Sequence, residues 1–143
     1  MTKYPLAFCI LLASSPVIAQ SNPLIGVWDG TDTAAMAIYG HLNITPKTIA
    51  WPRTNNLAKC KTSYRVIAQS QGKTYTDQLD AFKSDDATTT YQTIKIKLTP
   101  KKCTGQVGYL QFALPSNEPD YAEVIEYDRL GQPNGWIHFQ KRK

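Results

Sequence analysis

From Pro23 onward, apolar side chains recur at every second position and nowhere at a sustained helical period, which commits this chain to strands. Met36, Ile38, Gly40, Leu42 and Ile44 alternate with Ala37, Tyr39, His41 and Asn43, so the first set is expected to face a core. Cys60, Thr62, Tyr64, Val66 and Ala68 alternate in the same way with Lys61, Ser63, Arg65, Ile67 and Gln69. Ile94, Ile96 and Leu98 point inward against outward Thr93, Lys95 and Lys97. Further strands are expected at 25–29, 48–51, 73–79, 106–113, 121–127 and 136–141, with turns at Pro46-Lys47, at Gln71-Gly72 and from Gly131 to Gly135. Eight or nine short strands, undivided by any linker or repeat, predict an all-β single domain: a small antiparallel up-and-down barrel.

Loop lengths extend that expectation. Connections near 31–35, 52–59, 80–90 and 114–120 are mostly long, and those near 46–47 and 70–72 are tight. Alternate connections of an up-and-down barrel share an end. One end is therefore expected to be closed by tight turns and the other to carry variable loops, as a ligand mouth does.

The first residues follow a different rule. Lys3, an apolar run from Leu6 to Ala13, Pro16 and the small-residue pattern Val17-Ile18-Ala19 have the layout of a secretory signal peptide, with cleavage expected after Ala19. The run is too short to span a bilayer, so no membrane-spanning segment is expected. Residues 20–143 then form one domain, expected in the periplasm or outside the cell. Cleavage also removes Lys3, lowering the net charge by one from +5. A modest positive charge suits solubility and is compatible with an anionic surface; nucleic acid is not an expected partner without a basic recognition motif.

Cys9 leaves with the signal peptide, and Cys60 and Cys103 remain as an even pair in an oxidising compartment, which reads as one disulfide. The strand count opposes it. With a strand at 73–79, three traverses separate the two cysteines and put them at opposite ends, beyond the reach of a bridge. Either one strand is miscounted between 60 and 103 or a loop reaches back; the compartment and the even number favour the bridge.

Gly26-Val27-Trp28, opening the first strand, resembles the Gly-x-Trp signature of lipocalin-like (calycin) barrels, and 40–51 resembles the second-strand hairpin of small bacterial lipocalin-like proteins. The resemblance implies that Gly26 and Trp28 are structural. Trp28 would pack across a closed end beside a basic residue from a late strand, here Lys141 or Arg142. The chain departs from the family in its short length, in lacking a central Thr-Asp-Tyr motif and in having no helix after the last strand, so the ligand stays open.

Catalytic motifs are missing: no Gly-x-Ser-x-Gly, no His-Glu-x-x-His and no phosphate-cradling glycine loop occurs, and no cofactor is expected. Glu123 and Glu126 are three apart and so fall on opposite faces of a strand. His41 and His138 are isolated in sequence, with no metal-ligand spacing. Lys95, Lys97, Lys101 and Lys102 form a basic cluster, read either as a contact for an anionic surface or as lysines protecting an edge strand. Trp28, Trp51, Tyr64, Tyr75, Tyr109, Phe112 and Trp136 lie on or beside strands, either filling the barrel or lining a cavity. In the second case Tyr64, Tyr75, Tyr109 and Trp136 are the candidate ligand contacts. The function expected is that of a non-enzymatic binding module for a small apolar or amphipathic ligand. The alternative is a periplasmic protein-binding domain of hydrolase-inhibitor or toxin-immunity type, using loops 52–59 and 114–120.

Overall fold

A computed structural model of the protein describes residues 22–53, 58–73 and 89–143. The alternation is realised as β1 (Gly26–Gly30), β2 (His41–Ile44), β3 (Thr48–Trp51), β4 (Cys60–Lys73), β5 (Tyr91–Leu98), β6 (Val107–Pro115), β7 (Tyr121–Asp128) and β8 (Pro133–Lys141). Each strand pairs antiparallel with the next, and β8 returns to β1 to close the barrel. At the closure Trp28 stands opposite Lys141, Asp29 opposite Gln140 and Gly30 opposite Phe139. The expected signal peptide lies outside the described residues, as do Tyr75 and the predicted strand at 73–79 beyond Lys73.

Inward positions pack one core. Trp28, Leu42, Ile49, Ile96, Leu110, Phe112, Val124 and Phe139 are fully buried within it. A second buried group, Ala113, Ile125, Tyr91 and Tyr127 with Tyr109 against it, lies on the outer wall of β5 to β7. The register explains the division: Phe112 faces Val124 inside, while its neighbour Gln111 faces Ile125 outside.

Three expectations are corrected. The alternation from Met36 to Gly40 is not a strand. Thr33–Ile38 form a helix, α1, because Asp32 caps it by accepting a hydrogen bond from the Ala35 backbone N–H and three alanines favour the helical backbone. Ala35, not Met36 or Ile38, points into the barrel end; those two are 55% and 49% exposed. Gly30 makes this docking possible, since a Cβ there would meet the Ala35 backbone at 2.9 Å.

Secondly, Gln71-Gly72 does not turn the chain. β4 runs through it with a register shift between Ser70 and Lys73, and Gly72 supplies the positive φ of 73° for that bulge. Cys60 therefore begins β4, and Cys103 sits in a single 3-10 turn (Lys102–Thr104) just after β5. Among the described residues two traverses, β4 and β5, separate them. Both lie at one end, 5.6 Å apart between Cα atoms, and the disulfide is present.

Thirdly, long and short loops are not sorted by end. The connection bearing α1, the 52–59 and 99–106 connections and the β7–β8 turn share one end, the α1 end. The opposite end holds the 45–47 turn, the 116–120 loop, and the points where β4 finishes and β5 starts. β5 is also no edge strand, because barrel closure leaves no edges. Lys95 and Lys97 therefore do not serve as edge protection.

At that opposite end, Leu24 and Trp28 form a plug. Trp28 Nε1 donates to the Leu24 carbonyl at 2.8 Å, and Lys141 Nζ lies 5.3 Å from the Trp28 ring while donating to the Pro23 carbonyl. Lys141 thus takes the position beside the tryptophan, and Arg142 instead forms a forked ion pair with Asp29.

The disulfide closes a separation of 43 residues. Replacing both cysteines by serine is expected to lower stability by about 4 kcal/mol in the loop-closure description. Urea unfolding of the oxidised protein and the double variant measures it, and a loss below about 1 kcal/mol would refute this account.

Candidate functional site

The residues with chemical potential gather in three places. At the α1 end, on the outer wall, Asp32 joins the helix to β8. Its Oδ1 accepts from the Ala35 N–H at 2.7 Å, and its Oδ2 accepts from the His138 backbone N–H at 2.6 Å and faces the His138 ring Nδ1 at 3.0 Å. Burial opposes its ionisation, but these donors outweigh it and hold the carboxyl below its ordinary range. An ionised carboxylate only accepts, so His138 Nδ1 carries the hydrogen. The ring stacks on Tyr121 with centroids 5.8 Å apart and meets the edge of Trp136 at 4.6 Å. Glu123 stands opposite His138 in the ladder; burial raises its carboxyl pKa and the imidazole opposes that. Among the described residues no hydroxyl or thiol is bonded to His138. The group acts as a clamp holding α1 and the β1–β2 connection to the barrel.

Inside the same end, Glu126 is buried and accepts a hydrogen bond from the Tyr39 hydroxyl. Tyr39 in turn packs edge-on against Trp51 and Phe139. Burial raises the Glu126 carboxyl, and the Tyr39 bond only partly counters it. Burial first, then the Glu126 charge, pushes Tyr39 well up. Neither pair was legible from local sequence, since 87 residues separate Tyr39 from Glu126 and 106 separate Asp32 from His138.

The two carboxyls give opposite pH slopes. Glu126 has a raised folded pKa, so its contribution to stability is fully present below the unfolded value and is lost as pH rises through the folded one. Asp32 has a lowered pKa, so its contribution holds above the unfolded value and is lost as pH falls through the folded one. Glu126→Gln is therefore expected to gain stability relative to the native protein as pH rises above the ordinary glutamate value of about 4. Urea midpoints across that range check it; parallel curves would sink the assignment. Asp32→Ala is expected to cost about 1–2 kcal/mol at neutral pH through the lost cap, with α1 amides exchanging faster. Unchanged amide protection would show that the clamp is not needed.

The second place is the outer wall. Lys95 Nζ lies 3.8 Å from the Tyr127 ring centroid and 5.5 Å from that of Tyr109; Lys97 Nζ is also 5.5 Å from Tyr109. The third is a cleft of about 220 Å³ at the end opposite α1. Pro23, Tyr91, Leu114, Pro115 and Pro119 form its apolar lining, and Thr90, Gln92 and Ser116 its polar part. Thr90 Oγ1 donates to Ser116 Oγ at 3.3 Å along its rim.

Of the candidate ligand contacts, the three described ones, Tyr64, Tyr109 and Trp136, lie in separate places. Tyr64 is half-buried on the β4 wall, its hydroxyl donating to the Thr45 carbonyl at 2.8 Å. Tyr109 belongs to the outer-wall aromatic group, and Trp136 lies on the outside of β8, 45% exposed. The sequence reading missed the cleft because Pro23 reaches the paired β5 and β6 residues Tyr91 and Leu114 only in the closed barrel.

No protein-family model and no curated protein matches the chain. Among solved structures, Zn(II)-bound AdcA from Streptococcus pneumoniae is similar, with a TM-score of 0.51 and 12% identity over 85% of this chain and 32% of that one. The Zn(II)-bound ZinT-like domain of Streptococcus pneumoniae AdcA aligns with a TM-score of 0.49 and 13% identity, covering 85% of this chain and 82% of the domain. The chain spans about a third of the length of AdcA. At 12% identity the likeness is one of fold. Among the described residues no group of three or more His, Cys, Asp or Glu side chains is placed to hold a metal ion.

Proposed function

We propose that this chain is an exported, non-enzymatic binding module of lipocalin-like type. Its ligand is small and amphipathic, and it binds in the cleft at the end opposite α1, not in the centre of the barrel. The observation that carries this is the distribution of side chains. Trp28, Phe112 and Phe139 fill the barrel with no exposure, while the 220 Å³ cleft offers an apolar floor and a hydroxyl rim. A pocket of that size takes a small molecule or one end of a longer one. Export is supported by the layout of residues 1–19 and by a disulfide that an oxidising compartment maintains. The lipocalin-like reading is supported by Trp28 packed beneath Lys141. The shared fold with Zn(II)-bound AdcA fits a binding role, but zinc is not carried over to this chain, whose described residues offer no ligand set.

The test is titration of the oxidised mature protein with decanoate, competing against 1-anilinonaphthalene-8-sulfonate fluorescence. Saturable one-to-one binding is expected. Ser116→Trp places a bulky ring at the rim and is expected to weaken it about tenfold or more, or about 1.4 kcal/mol. Absence of saturable binding, or equal binding by the variant, would remove the cleft as the site.

A further inference from the structure

Among the described residues the charges are segregated. The described stretches 33–53, 58–73 and 89–117 contain no aspartate or glutamate, yet they include Lys61, Arg65, Lys95, Lys97 and Lys101. The fold lays these five along two neighbouring strands. Outward positions of β5 and its extension run Lys95, Lys97, Thr99, Lys101, and beside them β4 runs Arg65, Ser63, Lys61. Arg65 stands directly opposite Lys97 in the ladder. Ser63 Oγ and Thr99 Oγ1 are hydrogen-bonded at 2.9 Å, and Lys101 Nζ reaches the Lys61 carbonyl at 2.8 Å. Between the two files lies a second surface cleft of about 220 Å³, lined by Ser63, Tyr64, Arg65, Lys97, Leu98, Thr99 and Pro100. Among the described residues, none of these cations has an ion-pair partner.

We infer that this strip is a binding site for a linear acidic polysaccharide, separate from the end cleft. Three features point there. Like charges directly opposite in a ladder are unfavourable, and an anion seated between Arg65 and Lys97 would remove that repulsion. Two residues of extended chain advance about 6.6 Å, so Lys95 to Lys101 present cations over about 20 Å in a line, the shape of a chain rather than a point anion. Stacking of Lys95 and Lys97 on Tyr109 and Tyr127 holds the ammonium groups in place before a ligand arrives, which lowers the ordering cost of binding. Around the Arg65–Lys97 cleft the outward positions Lys61, Ser63, Arg65, Lys97, Thr99 and Lys101 are cationic or hydroxyl-bearing, and the exposed apolar Val66 and Ile67 lie past Arg65, toward the level of Lys95. A bilayer-seeking face needs apolar side chains projecting among its cations, and hydroxyls instead match a hydrated glycan.

Heparin oligosaccharide is the probe, with vesicles of phosphatidylglycerol and phosphatidylcholine as the competing surface. Binding by the oxidised protein is measured across about 50 to about 300 mM NaCl. The triple variant Arg65→Gln, Lys97→Gln, Lys101→Gln is compared with Arg53→Gln, Arg129→Gln, Lys143→Gln, which removes the same charge elsewhere. The strip variant is expected to lose at least about tenfold in heparin affinity and to show a shallower salt dependence, with the control within about twofold of native. Equal losses in both variants would reduce the effect to net charge and overturn the site. Failure to bind heparin at low salt would overturn it too. Vesicle binding lost in the strip variant without heparin binding would replace the polysaccharide with a membrane surface.

Discussion

Pairing of β1 with β8 is the contact on which the other features depend. Without it the sheet has two edges, its inner face cannot enclose itself, and Trp28 has no opposite wall. With it, Trp28 faces Lys141 across the seam and is buried, while the backbone of His138 is brought to Asp32 at the other end of the same seam. The clamp at Asp32 and the plug at Leu24 and Trp28 therefore guard the two ends of one closure. Residues from the first and last fifths of the chain meet there, so the closure has a long loop entropy to overcome, and the disulfide, which draws the middle of the chain together, reduces what remains.

How much of this was legible depends on whether the signal is local. Alternation is a property of neighbours, so Leu42, Ile44, Ile94, Ile96 and Leu98 were placed inward correctly. The failures come where two local rules compete. Met36 and Ile38 satisfy the strand period, but Asp32 followed by Ala34, Ala35 and Ala37 satisfies a capped helix, and docking of Ala35 against Gly30 decides it. Gln71-Gly72 satisfies a turn rule, yet the same glycine conformation serves a bulge, and strand pairing on β5 decides between them. Reading a turn there also generated the apparent conflict over the cysteines. The even cysteine pair pointed to the bridge without any strand count.

The sites were less legible than the fold, for a physical reason. Each joins residues far apart in sequence: Pro23 with Leu114, Tyr39 with Glu126, Asp32 with His138. Aromatic side chains were visible, but their face was not readable where a strand is apolar on both sides. Tyr109 and Tyr127 sit outside because Ala113 and Ile125 build an outer apolar layer beneath them, something alternation alone does not announce.

Filling the barrel has a consequence for where recognition happens. Trp28, Phe112, Phe139 and branched aliphatics occupy the core, and the two clefts of about 220 Å³ lie at one end and on the outer wall. The wall can hold charge because closure frees it from guarding an edge. Lysines on an open β5 would have been explained by the need to prevent strand addition, but on a closed barrel they face no such hazard. The placement of Lys97 opposite Arg65 is then a cost to the isolated fold that a bound anion would reverse. The same argument does not apply to Lys141 or Arg142, whose ammonium and guanidinium groups are engaged by Trp28 and Asp29 at the seam. The cations of this barrel thus divide by address: those at the seam hold the fold shut, and those on β4 and β5 face outward.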